Sequence, residues 1–148
     1  MNIQPRKIAL ITGANRGIGF EIARQLSEHG VRVLLSGRNH DSVMKATKTL
    51  QDSGLDVEAY TLDVTQKKSI LSAFKAIKSK YNRLDILINN AGIRIEQYGK
   101  QPSEQSLHQW RKTFATNLFG MIEVTTTFLP LIRKSSAGRI INVSSLLA

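Results

Sequence analysis

The sequence contains no cysteine, which excludes disulfide frameworks and thiolate metal sites and fits a reducing compartment. Its three histidines, His29, His40 and His108, lie far apart and form no metal-ligand spacing, so we predict no metal. No run approaches the ~20 apolar residues that a membrane span needs, and residues 1–7 lack the apolar centre of a secretory signal. We therefore expect one cytoplasmic domain, residues 1–148, without a membrane partner.

Acidic residues are scarce: 11 aspartates and glutamates stand against 21 lysines and arginines, giving a formal net charge of +10. A nucleic-acid-binding protein could have this balance. The basic residues are, however, spread through the predicted helices, and no run of five or six of them occurs. We therefore interpret most of them as solvated helix faces and expect no nucleic-acid partner, although a positive field would attract an anionic cofactor.

Apolar runs alternate along the chain with segments of helical periodicity. Strands are predicted at about 7–12, 31–36, 57–62, 85–89 and 138–143, and helices at about 17–29, 41–52, 66–80 and 106–134. Gly30 should end the first helix, Asp41 should cap the second, and Pro130 should kink or shorten the last. This alternation predicts an α/β fold, a doubly wound parallel sheet with right-handed crossovers and helices on both faces.

In such folds ligands bind beyond the carboxyl ends of the strands, here the loops 12–17, 36–39, 63–65, 89–93 and 144–146. The first loop opens the segment Thr12-Gly13-Ala14-Asn15-Arg16-Gly17-Ile18-Gly19. Glycines allow a sharp bend and close approach by a phosphate, and the first helical N–H groups lie at the positive end of the helix dipole. We predict a pyrophosphate site; the alternative is an ordinary glycine turn.

The second loop lacks the acid that usually binds the adenosine ribose 2′-hydroxyl in dinucleotide sites. The strand ends instead in Ser36-Gly37-Arg38-Asn39. Arg38 and Arg16 could both reach a 2′-phosphate, with which guanidinium groups form strong paired hydrogen bonds. This favours NADP(H) over NAD(H) as the cofactor; the alternative is that Arg38 is a surface residue at the start of the next helix.

Two further loops carry polar residues at strand ends. Asp63 could accept a hydrogen bond from the adenine amino group, or it could cap the next helix. The segment Asn89-Asn90-Ala91-Gly92 offers small residues and amides where a ribose would lie, or it forms an ordinary glycine-containing turn. Residue types and spacing leave both alternatives open.

Together these segments resemble the short-chain dehydrogenase/reductase family. The resemblance rests on Thr12-Gly13-x-x-x-Gly17-x-Gly19, Asp63, Asn89-Asn90-Ala91-Gly92, Asn117 and Asn142-Val143-Ser144-Ser145, which occur in one order at fitting distances. It covers the whole chain but only the first part of a typical member. It implies a Rossmann-type sheet of strand order 3-2-1-4-5, truncated here after the fifth strand.

The resemblance also implies roles for individual residues. Asn117 matches an active-site asparagine whose backbone carbonyl would hold a water in a proton relay; the alternative is an asparagine at a helix bend. Ser145 matches the serine that hydrogen-bonds the substrate carbonyl oxygen. The residues implied to bind the cofactor are Gly13, Asn15, Arg16, Gly17, Ile18, Gly19, Arg38, Asp63, Val64, Asn90, Ala91 and Gly92.

The sequence departs from the family in its acid–base pair, a tyrosine beyond this serine followed four positions later by a lysine. A tyrosine near pKa ~10 is a poor base at neutral pH without such a lysine. The three tyrosines present all precede Ser145, and none has a lysine four positions later: Tyr60, Tyr81 and Tyr98. We therefore expect a domain that is incomplete at its C-terminus, with the last strand forming an apolar sheet edge.

The sequence supports two functions. The first is an NADP(H)-dependent carbonyl reductase or alcohol dehydrogenase, which transfers a hydride between nicotinamide and a small carbonyl or alcohol substrate. The resemblance implies that the full-length protein is a homo-oligomer that pairs through the long helix. The alternative is a catalytically inactive nucleotide-binding module, because the tyrosine–lysine pair is absent from the sequence.

Overall fold

The computed structural model describes residues 5–95 and 99–145. Its elements follow one another as β1 Ile8–Ile11, α1 Gly17–Glu28, β2 Arg32–Gly37, α2 His40–Asp52, β3 Val57–Thr61, α3 Lys67–Tyr81, β4 Ile86–Asn89, α4 Leu107–Phe114, α5 Met121–Ile132 and β5 Arg139–Asn142. A short 3₁₀ turn, Pro102–Glu104, precedes α4, and a π-helical turn, Ala115–Gly120, joins α4 to α5.

The five strands form one parallel sheet in the order β3-β2-β1-β4-β5. Central strand β1 pairs Ala9 with Val33 on one side and with Ile86 on the other. Helices α1 and α2 bury apolar side chains on one face of the sheet, and α3 and α5 bury theirs on the other. The predicted α/β doubly wound sheet and its strand order are confirmed, and all carboxyl ends of the strands lie at one edge.

The start of α2 differs from the prediction. Asn39, not Asp41, caps this helix: its Oδ1 accepts a hydrogen bond from the Ser42 N–H at 2.9 Å. The helix begins at His40, so Asp41 lies inside the first turn. A carboxylate there still interacts favourably with the helix dipole, which explains why an acid at this position resembles a cap in the sequence.

The long helix runs from Leu107 to Ile132 and is interrupted by the π-helical turn. It contains Pro130 and ends two residues later, as the proline predicted. Among the described residues it is the one helix long and apolar enough to cross a membrane, judged by length and composition alone. Its second half buries Val124, Phe128 and Leu131 in the core under the sheet, which accounts for part of that apolar composition.

Strand β5 lies at the edge of the sheet and is exposed along its length. Ile140, Ile141 and Val143 expose 40–46% of their surface. This agrees with the expected apolar edge. Asn89 Nδ2, at the end of β4, donates one hydrogen bond to Asn142 Oδ1 on β5 at 2.8 Å and another to Thr125 Oγ1 on α5 at 2.9 Å.

Candidate functional site

The glycine turn between β1 and α1 is shaped by backbone conformation and by close packing. Gly13 and Gly17 have φ values of +61° and +59°, which residues with a Cβ rarely adopt. A Cβ added to Gly13 would lie 2.8 Å from the Cα of Ala91. One added to Gly19 would collide with the amide nitrogen of Asn90. The turn therefore depends on glycine at all three predicted positions.

The turn leaves the amino end of α1 open. Arg16 precedes the helix, makes no side-chain cap, and is followed by a first turn without an acidic residue. The first N–H groups of the helix therefore lack the side-chain acceptor that caps α2. Together with the dipole of a helix of 12 residues, they form a site suited to an anion.

Thr12 joins this turn to the loop after β4, a role that the sequence did not predict. Its buried hydroxyl accepts hydrogen bonds from the N–H groups of Asn90 and Ala91, both at 3.0 Å. In return, the side-chain amide of Asn90 donates to the carbonyls of Thr12 and Gly13, at 3.1 and 3.0 Å. The Asn90 side-chain amide thus braces the turn.

A cavity of about 820 Å³ lies along the carboxyl edge of the sheet. All of the predicted cofactor residues line it except Gly19, which lies beneath the turn against Asn90. The structure thus brings four separate loops together around one space. The cavity also includes residues to which the sequence assigned no role: Gly37, Asn39, Ser42, Leu62, Thr65, Ile93 and Thr116.

Arg16 and Arg38 border the cavity with exposed side chains. No carboxylate in the described part of the chain forms an ion pair with either guanidinium. Nearby, Asp63 Oδ1 accepts hydrogen bonds from the N–H and hydroxyl of Thr65, at 2.9 and 2.7 Å. Gln66, not Asp63, takes the capping position of α3, so the capping alternative for Asp63 is wrong.

Asn117 lies in the π-helical turn, a feature often found at functional sites. Its side chain binds the backbone of Ile93 twice: Oδ1 accepts from the N–H at 2.8 Å, and Nδ2 donates to the carbonyl at 2.9 Å. Asn117 therefore holds the loop after β4 in place. Ser145 is exposed just beyond β5, and neither Asn117 nor Ser145 is among the residues that line the cavity.

Two of the tyrosines lie in a polar cluster around Glu58 on β3. Both phenol hydroxyls donate to the Glu58 carboxylate, that of Tyr60 at 3.3 Å. Burial, reinforced by the Glu58 charge, raises the pKa of Tyr60 to about 12. Burial and the hydrogen bond to Glu58 also raise the pKa of Tyr81. A catalytic base requires a lowered pKa, so both shifts are in the opposite direction. The third tyrosine, Tyr98, lies outside the described residues.

We expect alkaline titration to show these shifts. Because the folded state favours the neutral phenol of Tyr60, the stability that this group contributes is complete below its ordinary pKa of 10.0 and is lost as pH rises towards about 12. Tyrosinate absorbance should therefore develop at a higher pH in native protein than in protein unfolded by urea. Tyr60→Phe should remove one late-titrating group. Titration of all tyrosines at the ordinary value in native protein would contradict the cluster.

Known proteins similar to this chain include oxidoreductases. A family model described as short chain dehydrogenase matches residues 7–148. The short-chain dehydrogenase anuI of Penicillium roqueforti is 38% identical over 144 residues, covering 95% of this chain and 56% of that relative. Carbonyl reductase [NADPH] 1 of Mus musculus is 37% identical over 144 residues, covering 97% of this chain and 50% of that relative.

A solved structure gives the same result for the fold. An actinorhodin polyketide ketoreductase with NADPH superposes with a TM-score of 0.86 at 33% identity, covering 98% of this chain and 55% of that one. The chain thus spans about half the length of the curated relatives that it matches. The part that corresponds includes the five-stranded sheet and the loops at its carboxyl edge.

Proposed function

Because the chain belongs to the short-chain dehydrogenase family, we propose that it forms the NADP(H)-binding part of a carbonyl reductase or alcohol dehydrogenase. The observation that carries this proposal is the uncapped amino end of α1, which opens beside two exposed guanidinium groups on one cavity. A dinucleotide diphosphate would accept hydrogen bonds from the first N–H groups of α1. The net charge of +10 would attract such an anion from solution.

The residues around the cavity fit such a cofactor. Gly13 and Gly17 keep side chains away from the place where the diphosphate would approach, and Ala91 and Gly92 leave room for a ribose. Arg38 would pair with a 2′-phosphate through two parallel hydrogen bonds, with Arg16 as a second cation. Asp63 would accept from the adenine amino group with the carboxylate oxygen that Thr65 does not use.

Bound NADP(H) would supply the hydride donor or acceptor. The proposed roles of the chain in the reaction belong to Ser145 and Asn117. The Ser145 hydroxyl would donate a hydrogen bond to the substrate carbonyl oxygen, where negative charge develops. The backbone carbonyl of Asn117 would hold a water that relays the proton, while its side chain fixes Ile93. The tyrosine and lysine that move the proton in this proposal are not in the printed sequence.

Calorimetry with NADPH and NADH on the 148-residue chain tests the binding proposal. We expect NADPH to bind more tightly, with a difference that shrinks as salt rises, because the discriminating charges are exposed. A folded chain that binds neither nucleotide would overturn the proposal.

The second candidate, an inactive nucleotide-binding module, is favoured by the positions of the tyrosines. Tyr60 and Tyr81 both donate hydrogen bonds to Glu58, and neither lines the cavity. The two candidates differ in turnover. In a protein extended to the length of the relatives, NADPH binding without oxidation by any of a panel of small aldehydes and ketones would favour the module, whereas oxidation that depends on Ser145 would favour the enzyme.

The proposal extends to assembly and location. On the long helix, Phe114, Phe119 and Ile122 each expose 44–62% of their surface. This apolar patch would suit contact with a second copy of the full-length protein. We propose a cytoplasmic homo-oligomer that acts on a small molecule and has neither a nucleic-acid nor a membrane partner. The basic residues then act through a general field rather than a dedicated surface.

A further inference from the structure

The π-helical turn Ala115–Gly120 contacts two loops that border the cavity. Gly120 is buried against the loop after β3: an added Cβ would lie 2.8 Å from both Cγ2 and the carbonyl oxygen of Val64. Asn117 holds Ile93, in the loop after β4, with its two amide hydrogen bonds. Between these contacts, Thr116 lines the cavity itself. One turn of helix therefore meets the cavity and both loops.

The residues that make these contacts all lie in the π-helical turn. Residues in an α-helix are spaced by about 100° around its axis, and a π-helical turn inserts extra backbone into that spacing. The inserted backbone changes the directions in which Thr116, Asn117 and Gly120 project from the helix axis. Because Gly120 has no side chain, the helix backbone can approach the backbone of Val64 directly.

The loop that Gly120 contacts lies beside Arg38. Gly37 pairs with Thr61 in the sheet, and the Leu62 N–H donates to the Gly37 carbonyl at 2.8 Å. Residues 62–65 therefore follow directly on the backbone pairing beside Arg38 and line the same cavity as Arg38, whose guanidinium is proposed to bind the 2′-phosphate. This end of the cavity would hold the adenosine half of the cofactor.

We propose that Gly120 is a positioning residue for the adenosine half of NADP(H), acting through Val64, and that Thr116 is a further cofactor contact. This inference rests on the proposed function. The backbone carbonyl of Val64 cannot rotate away from an added Cβ as a flexible side chain could, so a methyl group at 120 must displace the loop. Displacement would move Asp63 and Val64 relative to Arg38.

The test compares Gly120→Ala with Gly138→Ala, using adenosine 2′,5′-bisphosphate and NADPH in calorimetry. Gly138 is a matched control, because an added Cβ would lie 2.8 Å from Cγ2 and 2.9 Å from the carbonyl oxygen of Ile132. It precedes β5 at the opposite edge of the sheet. The two variants thus impose similar collisions, one beside the cavity and one far from it.

We expect Gly120→Ala to weaken binding of both ligands by about tenfold, since overpacking against backbone is costly. Gly138→Ala should leave both affinities near those of the wild type. Equal affinity of the wild type and Gly120→Ala for adenosine 2′,5′-bisphosphate overturns the inference while the proposed function stands. A wild-type chain that binds neither ligand overturns both.

A measurement on the wild type covers the case in which Gly120→Ala does not fold. Adenosine 2′,5′-bisphosphate should slow amide hydrogen exchange in residues 116–121 as well as in 62–65, because the two segments pack together. Protection of 62–65 with unchanged exchange in 116–121 would overturn the inference. As a further check, Thr116→Val, which keeps the shape but removes the hydroxyl, should weaken NADPH binding.

Discussion

Gly13→Ala is expected to abolish measurable NADPH binding and to destabilise the fold by about 2–5 kcal/mol, combining positive-φ strain with overpacking. The positive φ of +61° disfavours a Cβ, and the Cα of Ala91 at 2.8 Å leaves no space for one. The Ala91 N–H donates a hydrogen bond to the Thr12 hydroxyl, so the loop after β4 cannot move away from position 13 without breaking this hydrogen bond. Urea denaturation and calorimetry measure the two effects.

Gly30→Ala is the control for backbone strain alone. Gly30 has a φ of +80°, but beyond its chain neighbours no atom lies within 4 Å of an added Cβ, and it lies at the end of α1 away from the cavity. In this variant the free energy of unfolding should fall by about 1 kcal/mol, the cost of a left-handed conformation, and the affinity for NADPH should not change. If Gly13→Ala were no more damaging than Gly30→Ala, the close approach to Ala91 would be unimportant.

Arg38→Asp should lower the affinity for NADPH by about 100-fold, because it removes paired hydrogen bonds to the 2′-phosphate and adds repulsion. Affinity for NADH, which lacks this phosphate, should change little or rise, since an acid can accept from the free 2′-hydroxyl. Calorimetry at low and high salt measures both. A wild type that binds NADH at least as tightly as NADPH would contradict this role of Arg38.

Lys75→Asp is the matched control for net charge. Lys75 is exposed on α3 and is not among the cavity residues, yet this substitution changes the charge of the chain by the same amount. It should weaken NADPH and NADH binding slightly and equally, through the general field. A loss specific to NADPH in Lys75→Asp would show that selectivity comes from overall charge rather than from a contact.

The sequence was informative where chemistry is local. Apolar runs separated by helical periodicity predicted all five strands. For β1, β2 and β4 the reason is that a strand buried on both faces has to be largely apolar. The positions of glycine, arginine and aspartate at strand ends predicted the loops of the cavity, since parallel strands place those ends at one edge. The strand order entered through the resemblance to a family, and the structure confirms it.

The sequence was uninformative where the relevant contact spans many residues. The Thr12 hydroxyl meets backbone groups that lie more than 70 positions away, and no periodicity reveals such a pair. The π-helical turn keeps the apolar pattern of the long helix, so it reads as ordinary helix. The error at Asp41 has a smaller cause: α2 begins at His40, so its cap lies two residues before Asp41, at Asn39.

The bonds between Thr12 and the loop after β4 have a kinetic consequence. Each joins one protein atom to another, so the shape of the glycine turn does not need a nucleotide to maintain it. A site already in its binding shape avoids the entropy cost of ordering and the delay of a conformational change. Association should then be rapid and follow a single exponential, and differences in affinity among nucleotides should arise mainly from how long each remains bound.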